Sequence, residues 1–283
     1  MFVRQWDPKG TPRFVACVAH GGAEHSGRYA GVAAWLTEIG GVVFAPDHRG
    51  QGQSDGTPGH IASFSVYGDD LEDVCTSTSR ELPASCQPDR VPWFLYGHSM
   101  GALIALTYLL DRNSEHPFVG AICSAPLLGL AMKVPPLKRM VGELAARIVP
   151  RLTLPAGIPP EAISRDPDEV TRYIQDPHRV TKVSAQWFVS MNEAVNRVEQ
   201  EISRLTLPML WYLGTGDQIC DAAAQTRIFH RLCDPSGNDQ TLHPFDGYYH
   251  ELHNEPELLR RPVRDLLVAW VSQRCTQVET SEV

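Results

Sequence analysis

No stretch of this 283-residue chain comes near the run of about 18 uncharged apolar residues that a membrane-spanning helix needs. The opening residues, Met1-Phe2-Val3-Arg4-Gln5-Trp6-Asp7-Pro8, lack the apolar core of a secretory signal. Positive charge is short: 25 Lys and Arg face 33 Asp and Glu, and the formal net charge is −8. With no basic run to meet phosphates, nucleic acid is excluded as a general partner. The seven cysteines (17, 75, 86, 123, 220, 233, 275) are odd in number, scattered and never spaced Cys-x-x-Cys. That is the pattern of reduced thiols, and it points to a cytoplasmic protein that is at most peripheral to a membrane. Internal repeats and low-complexity segments are also missing. What remains, 43% hydrophobic and 20% charged, is an ordinary globular chain long enough to bury a core without staples.

Short apolar runs alternate with helical patterns, the signature of βαβ units around a parallel sheet and hence of an α/β fold. The runs Phe14–Ala19, Gly41–Ala45, Trp93–Tyr96, Val119–Ser124, Met209–Leu213 and Gln240–Phe245 read as strands. Helices are expected near Tyr29–Ile39, Phe64–Arg80, Gly101–Asp111, Ala222–Leu232 and Glu257–Arg274, with a polar frayed tail from Cys275. Between Pro126 and Pro208 the rhythm stops, and no β-like run interrupts a proline-punctuated, helical-looking stretch. The expected organisation is therefore a body over 1–126, a helical insertion over 127–205, the body resumed over 206–274, and a tail over 275–283.

Gly97-His98-Ser99-Met100-Gly101 follows the strand at Trp93–Tyr96 and precedes a helix, which is the context that a G-x-S-x-G nucleophile elbow requires. A serine hydroxyl attacks only when a base takes its proton and a carboxylate orients that base. In the chain order of α/β-hydrolases both follow the serine on loops after late strands. Gly214-Thr215-Gly216-Asp217 and Asp246-Gly247-Tyr248-Tyr249-His250 occupy such loops, so Ser99, Asp217 and His250 are the candidates. Asp221 competes as acid and His253 as base, while His243 falls inside a strand. An oxyanion needs two N–H donors, for which Met100, directly after the serine, and Gly22, in the loop after Phe14–Ala19, are placed. Cys220, three residues after Asp217, should bring its thiol close to the acid loop, either as a small buried hydrophobe or as a site where a bulky maleimide would disturb Asp217. His250-Glu251-Leu252-His253 is not H-E-x-x-H, and no metal or organic cofactor is called for.

At these residues the chain resembles the monoacylglycerol lipase family of α/β-hydrolases, which also takes in sequences labelled lysophospholipase. The matching blocks are His20-Gly21 with Glu24-His25-Ser26-Gly27-Arg28-Tyr29, Pro46-Asp47-His48-Arg49-Gly50-Gln51-Gly52-Gln53-Ser54, Gly97–Gly101, Gly214–Asp217 and Tyr249-His250-Glu251. The resemblance implies a mostly parallel sheet of roughly eight strands flanked by helices, with a helical cap inserted between two late strands. It implies hydrolysis of a monoacylglycerol ester through an acyl-enzyme on Ser99. A lysophospholipase or carboxylesterase with the same triad is the neighbouring reading, and a non-catalytic binding protein of the same fold the remote one. The resemblance also places the polar, glycerol-receiving end of the pocket near Glu24, Arg28 and His253. Ala23 departs from the family's usual second glycine in that loop, and Gln51, away from the triad, stands where histidine is common. The first strand of the family is expected to be short or missing here.

One expectation rests on the insertion. Segment 127–158 carries Lys133, Lys138, Arg139, Arg147 and Arg151 against Glu143 alone, with many apolar residues between them. Such a cap would meet an anionic lipid interface and admit a single acyl chain.

Overall fold

The computed structural model describes residues 1–113, 115–131, 144–232 and 240–281. The strands in chain order are β1 (Val3–Trp6), β2 (Phe14–Ala19), β3 (Gly41–Pro46), β4 (Trp93–His98), β5 (Phe118–Ser124), β6 (Thr153–Pro155), β7 (Lys182–Ser184), β8 (Met209–Gly214) and β9 (Gln240–Phe245). Seven of them form one sheet in the order β1-β3-β2-β4-β5-β8-β9. Every pairing in that sheet is parallel except β1 with β3.

The runs are continuous rather than alternating because both faces of the sheet are covered. Along β2, Phe14, Ala16 and Val18 pack with α1 (Ala30–Glu38) and with Val263, Leu267 and Trp270 of the last helix. Val15 and Cys17 point the other way, into the layer of α2 (Ser65–Glu81) and α3 (Met100–Arg112). Each of the inner strands β2, β3, β4, β5 and β8 thus feeds two cores at a period of two.

The first strand, expected to be short or missing, is present and short: Val3–Trp6 pairs antiparallel at the sheet edge, Val3 opposite Pro46 and Trp6 opposite Val43. Its residues alternate between exposed and half-buried, which is why it carries no apolar run. Among the described residues the main sheet has seven strands, not about eight. The insertion is not wholly helical, because β6 and β7 pair antiparallel within it. Three-residue strands, one ending in Pro155, are too short to show a period.

Elsewhere among the described residues of the insertion, helices occur as its pattern suggests. α4 (Pro167–Gln175) starts at Asp166, whose side chain accepts from the Asp168 N–H at 2.9 Å, with proline at the first position. α5 (Ala185–Glu201) starts at Ser184, which accepts from the Trp187 N–H at 3.1 Å. A helical run also covers 144–148. After α6 (Ala222–Phe229), the chain ends in α7 (Glu257–Ser281), which runs on past Arg274 where a frayed tail was expected. Cys275 is buried against the α1-side core, and the segment contains no proline or glycine to stop the helix.

The carboxyl ends of β4, β8 and β9 all lie on one edge of a parallel sheet, where α/β folds build their sites. The insertion leaves the body after β5, returns before β8, and is pinned to that edge by a bridge between Leu130 and Cys220.

Candidate active site

Ser99 sits between β4 and α3 with φ +51° and ψ −117°, a strained conformation for a residue with a side chain. The turn closes only because its flanking residues lack one. A Cβ on Gly97 would stand 2.6 Å from the Ala102 Cα, and one on Gly101 would stand 2.0 Å from the Ala19 carbonyl oxygen. The Ser99 backbone is fixed on both sides: its N–H donates to Ser124 O at 2.9 Å, and its carbonyl accepts from Leu103 at 3.2 Å and Leu127 at 3.0 Å.

Asp217 and His250 meet. Asp217 Oδ1 accepts from the Ile219 and Cys220 N–H groups at 2.8 and 3.0 Å, and Oδ2 lies 2.7 Å from His250 Nδ1. Burial alone would lower the His250 pKa, but the charge and hydrogen bond of Asp217 outweigh it, and the imidazole ends above the ordinary value of 6.5. His98, its ring centroid 4.7 Å away, is held well below that value by burial and by His250, so it is neutral.

The competing residues are engaged elsewhere. Asp221 caps α6, accepting from Ala223 and Ala224 N–H at 2.9 and 3.3 Å. His243 lies along β9 with its ring on Phe245. Cys220 is fully buried with Sγ 3.9 Å from Ser99 Oγ, and burial pushes its thiol pKa well up. A protonated, enclosed thiol is a poor maleimide target, so the idea of a reactive Cys220 finds no support. Ligand atoms of Asp217, Cys220 and His250 lie within 4.8 Å of one another. Both Asp217 oxygens are already taken by hydrogen bonds, so the group reads as a hydrogen-bonded relay, not an ion cage.

Gly22 and Met100 face each other: a Cβ on Gly22 would stand 3.6 Å from Met100 Sδ. Met100 opens α3, so its N–H has no intrahelical acceptor. The preceding N–H, of Gly21, is occupied by Glu24 Oε1 at 2.5 Å and Tyr29 Oη at 3.1 Å. Gln51, expected away from the triad, braces this loop. Its Oε1 accepts from the Ala23 N–H at 2.9 Å and its amide reaches Met100 Sδ at 3.5 Å. Asp47, from the same block, accepts from Ser26 N–H at 2.8 Å and Gln53 N–H at 2.8 Å, and so ties the two loops together.

The three residues expected at the polar end divide. Glu24 lines the cavity onto which Ser99 and His250 open, a space of about 420 Å³ whose other walls include Leu127, Ile163, Trp187 and Met191. Arg28 and His253 line a different hollow of about 610 Å³. His253 stacks on Tyr29 at 5.0 Å, and burial lowers its pKa to about 4. Arg28 pairs with Glu24 at 3.1 Å and with Glu251, a residue that the sequence reading left without a role.

A strained serine on an elbow, an aspartate–histidine pair and a shared cavity, at the carboxyl edge of a mostly parallel sheet, define a serine hydrolase of the α/β-hydrolase fold. The family described as "Serine aminopeptidase, S33" matches residues 10–257. Monoglyceride lipase of Rattus norvegicus is 34% identical over 278 residues, covering 97% of this chain and 87% of that protein. The chain belongs to this monoglyceride lipase family of α/β-hydrolases. The crystal structure of a Paleococcus ferrophilus monoacylglycerol lipase superposes with a TM-score of 0.80 at 31% identity, covering 95% of this chain and 98% of that one. Phospholipase YtpA of Bacillus subtilis is 29% identical, covering 87% of this chain and 91% of that protein.

Ala23, where the family usually has glycine, holds φ +64°. That region costs a residue with a Cβ roughly 1–2 kcal/mol, and glycine loses roughly 0.4–1 kcal/mol of that gain in the unfolded chain. Ala23→Gly is therefore expected to leave stability unchanged or raise it by up to about 1.6 kcal/mol in urea denaturation. A comparable loss would mean that the buried methyl outweighs the strain.

Proposed function

We propose that the protein hydrolyses monoacylglycerols to glycerol and a free fatty acid through an acyl-enzyme on Ser99. The observation that carries this reading is the single cavity that joins Ser99 and His250 at one end to apolar walls at the other. In the proposed sequence Ser99 Oγ attacks the ester carbonyl and its proton passes to His250, which Asp217 holds in the correct tautomer. The carbonyl oxygen, now an oxyanion, accepts from the N–H groups of Gly22 and Met100. The C–O bond to glycerol breaks, the leaving oxygen takes the proton from His250, and water repeats the steps in reverse to free the acid. Each methylene drawn out of water contributes about 0.8 kcal/mol, which favours a long acyl chain. The rat relative's name and that of the Paleococcus ferrophilus protein support the same substrate class. The matched family's description names a peptidase, whereas the relatives that cover nearly the whole chain at 34% and 31% identity are named for monoacylglycerol esters.

The test compares mono-, di- and trioleoylglycerol. Monooleoylglycerol should be cleaved well ahead of the others, and Ser99→Ala, Asp217→Asn and His250→Gln should each reduce the rate by several orders of magnitude while the protein stays folded. Equal rates on all three glycerides would sink the single-chain reading, and an active Ser99→Ala would sink the mechanism.

The base must be neutral to accept the serine proton, so kcat/KM should rise with pH and be lost as pH falls through the raised His250 pKa. A sigmoid with its midpoint above 6.5 is expected. A profile flat from about pH 5 to 9 is incompatible with His250 as base.

Segment 127–205 serves in this reading as a cap that touches the lipid interface. Lys133, Lys138 and Arg139 lie outside the described residues. Among those described, Leu144, Ile148, Val149, Leu152 and Leu154 are all exposed, Ile148 at 70%, and Leu154 also lines the cavity. A cluster of that kind beside a cavity mouth suits a lipid surface. Ile148→Glu with Leu152→Glu should weaken binding to phosphatidylcholine–phosphatidylserine vesicles, with the rate on dispersed short-chain ester retained. Unchanged vesicle binding would remove the cap from the membrane.

A further inference from the structure

The end of the cavity around His250 is walled by charge of one sign. Glu24 and Glu251 both face it, and among the described residues no Lys or Arg does. The nearest guanidinium, Arg28, stands behind them on the wall of the other hollow. It is committed to the two acids: Nε donates to Glu24 Oε2 at 3.1 Å, Nη2 donates to Glu251 Oε2, and its Cζ lies 5.2 Å over the Tyr173 ring. One cation stands between two carboxylates. Burial and the Glu251 charge push Glu24 up to about 7, so the wall is short of positive charge by at most one. The lasting negative charge is that of Glu251, which Arg28 holds below the usual carboxylate range. The histidines around it do not make up the difference at neutral pH, since burial keeps both His98 and His253 neutral.

The two acids are also placed differently. Glu24 is spent on its own loop, accepting from Gly21 N–H, Tyr29 Oη–H and Arg28. Glu251 is anchored through Oε2 by Arg28 and by Asn254 at 2.8 Å, and through its N–H by Ile163 O at 2.7 Å. Its Oε1 makes no hydrogen bond among the described residues. A carboxylate oxygen can only accept. An alcohol hydroxyl can donate to it, whereas a phosphate or phosphodiester brings more acceptors and a like charge.

Resting on the reading of this site as an ester hydrolase, we propose that Glu251, backed by Glu24, selects an uncharged, hydroxyl-bearing alcohol and turns away lysophospholipids and other esters whose alcohol carries a phosphate. The rejection works by leaving charge unpaired against the wrong substrate, and the recognition works by one accepted hydroxyl. Phospholipase YtpA, as its name states, acts on phospholipid, so headgroup choice divides relatives of this fold. In this chain the division falls at a residue beside the base.

The test uses 1-oleoylglycerol and 1-oleoyl-lysophosphatidylglycerol, which share an acyl chain, diluted in the same neutral detergent micelles. Wild type should favour the neutral ester in kcat/KM by at least roughly 30-fold, the size of a like-charge contact at a few ångströms in a partly screened site. Glu251→Gln should narrow that ratio by roughly 10-fold, because it removes the charge and frees Arg28 to meet phosphate, while Glu251→Asp should keep most of it. A ratio taken within one variant is independent of how much of it folds. Similar rates on both esters in wild type, or an unchanged ratio in Glu251→Gln, would overturn the proposal. Loss of all ester hydrolysis in wild type would overturn the hydrolase reading itself and this inference with it.

Discussion

The close approach of α3 to the end of β4 sets the position of everything that follows in the site. At Gly97 and Gly101 the backbone packs so tightly that a single methyl would overlap Ala102 or the Ala19 carbonyl. That contact holds Ser99 in its left-handed turn at the apex, directly before Met100, the first residue of α3, whose N–H has no intrahelical acceptor. It also brings the end of β2 against the elbow, so the loop that carries Gly22 must pass close to Met100. Strain at one serine is thus shared by two strands and a helix, each buried on both faces.

Around this fixed point the polar groups form a frame of buried acids and their partners. Asp47 joins the loop after β3 to the loop after β2, Gln51 supports Ala23, and Glu24 occupies the Gly21 N–H so that the following N–H stays available. Arg28 extends the frame across to Glu251, the residue after His250, and to Tyr173 of the insertion. Buried charge is costly unless paired, so each member depends on the others. Burial and the Glu251 charge push Glu24 up to about 7, while Arg28 holds Glu251 below the usual carboxylate range despite its own burial. The ionisation of the wall is therefore a property of the frame and not of either acid alone.

The parallel sheet was readable because its inner strands, buried on both faces, are continuous apolar runs, and Phe14–Ala19 has the same limits in sequence and structure. The elbow, Asp217 and His250 were readable because glycine and chain order mark them. β1 was missed because Arg4 and Gln5 break any apolar pattern on an edge strand, and the β6–β7 hairpin because three residues hold no period. The end of α7 was misplaced because a polar sequence looks frayed until Cys275 is seen against the core. Gln51 and Glu251 carry no signal in their own neighbourhoods. Their roles come from partners 28 and 223 residues away, a separation that no local pattern reports.

The central claim is that Ser99 is the nucleophile and that the cavity above it holds a monoacylglycerol. Reaction with a fluorophosphonate probe, followed by mass spectrometry of the digested protein, tests it directly. The account requires one adduct, on the peptide that contains Ser99, formed more slowly in the presence of monooleoylglycerol and absent from Ser99→Ala. Labelling at another residue, or none at all from a folded protein, would contradict it.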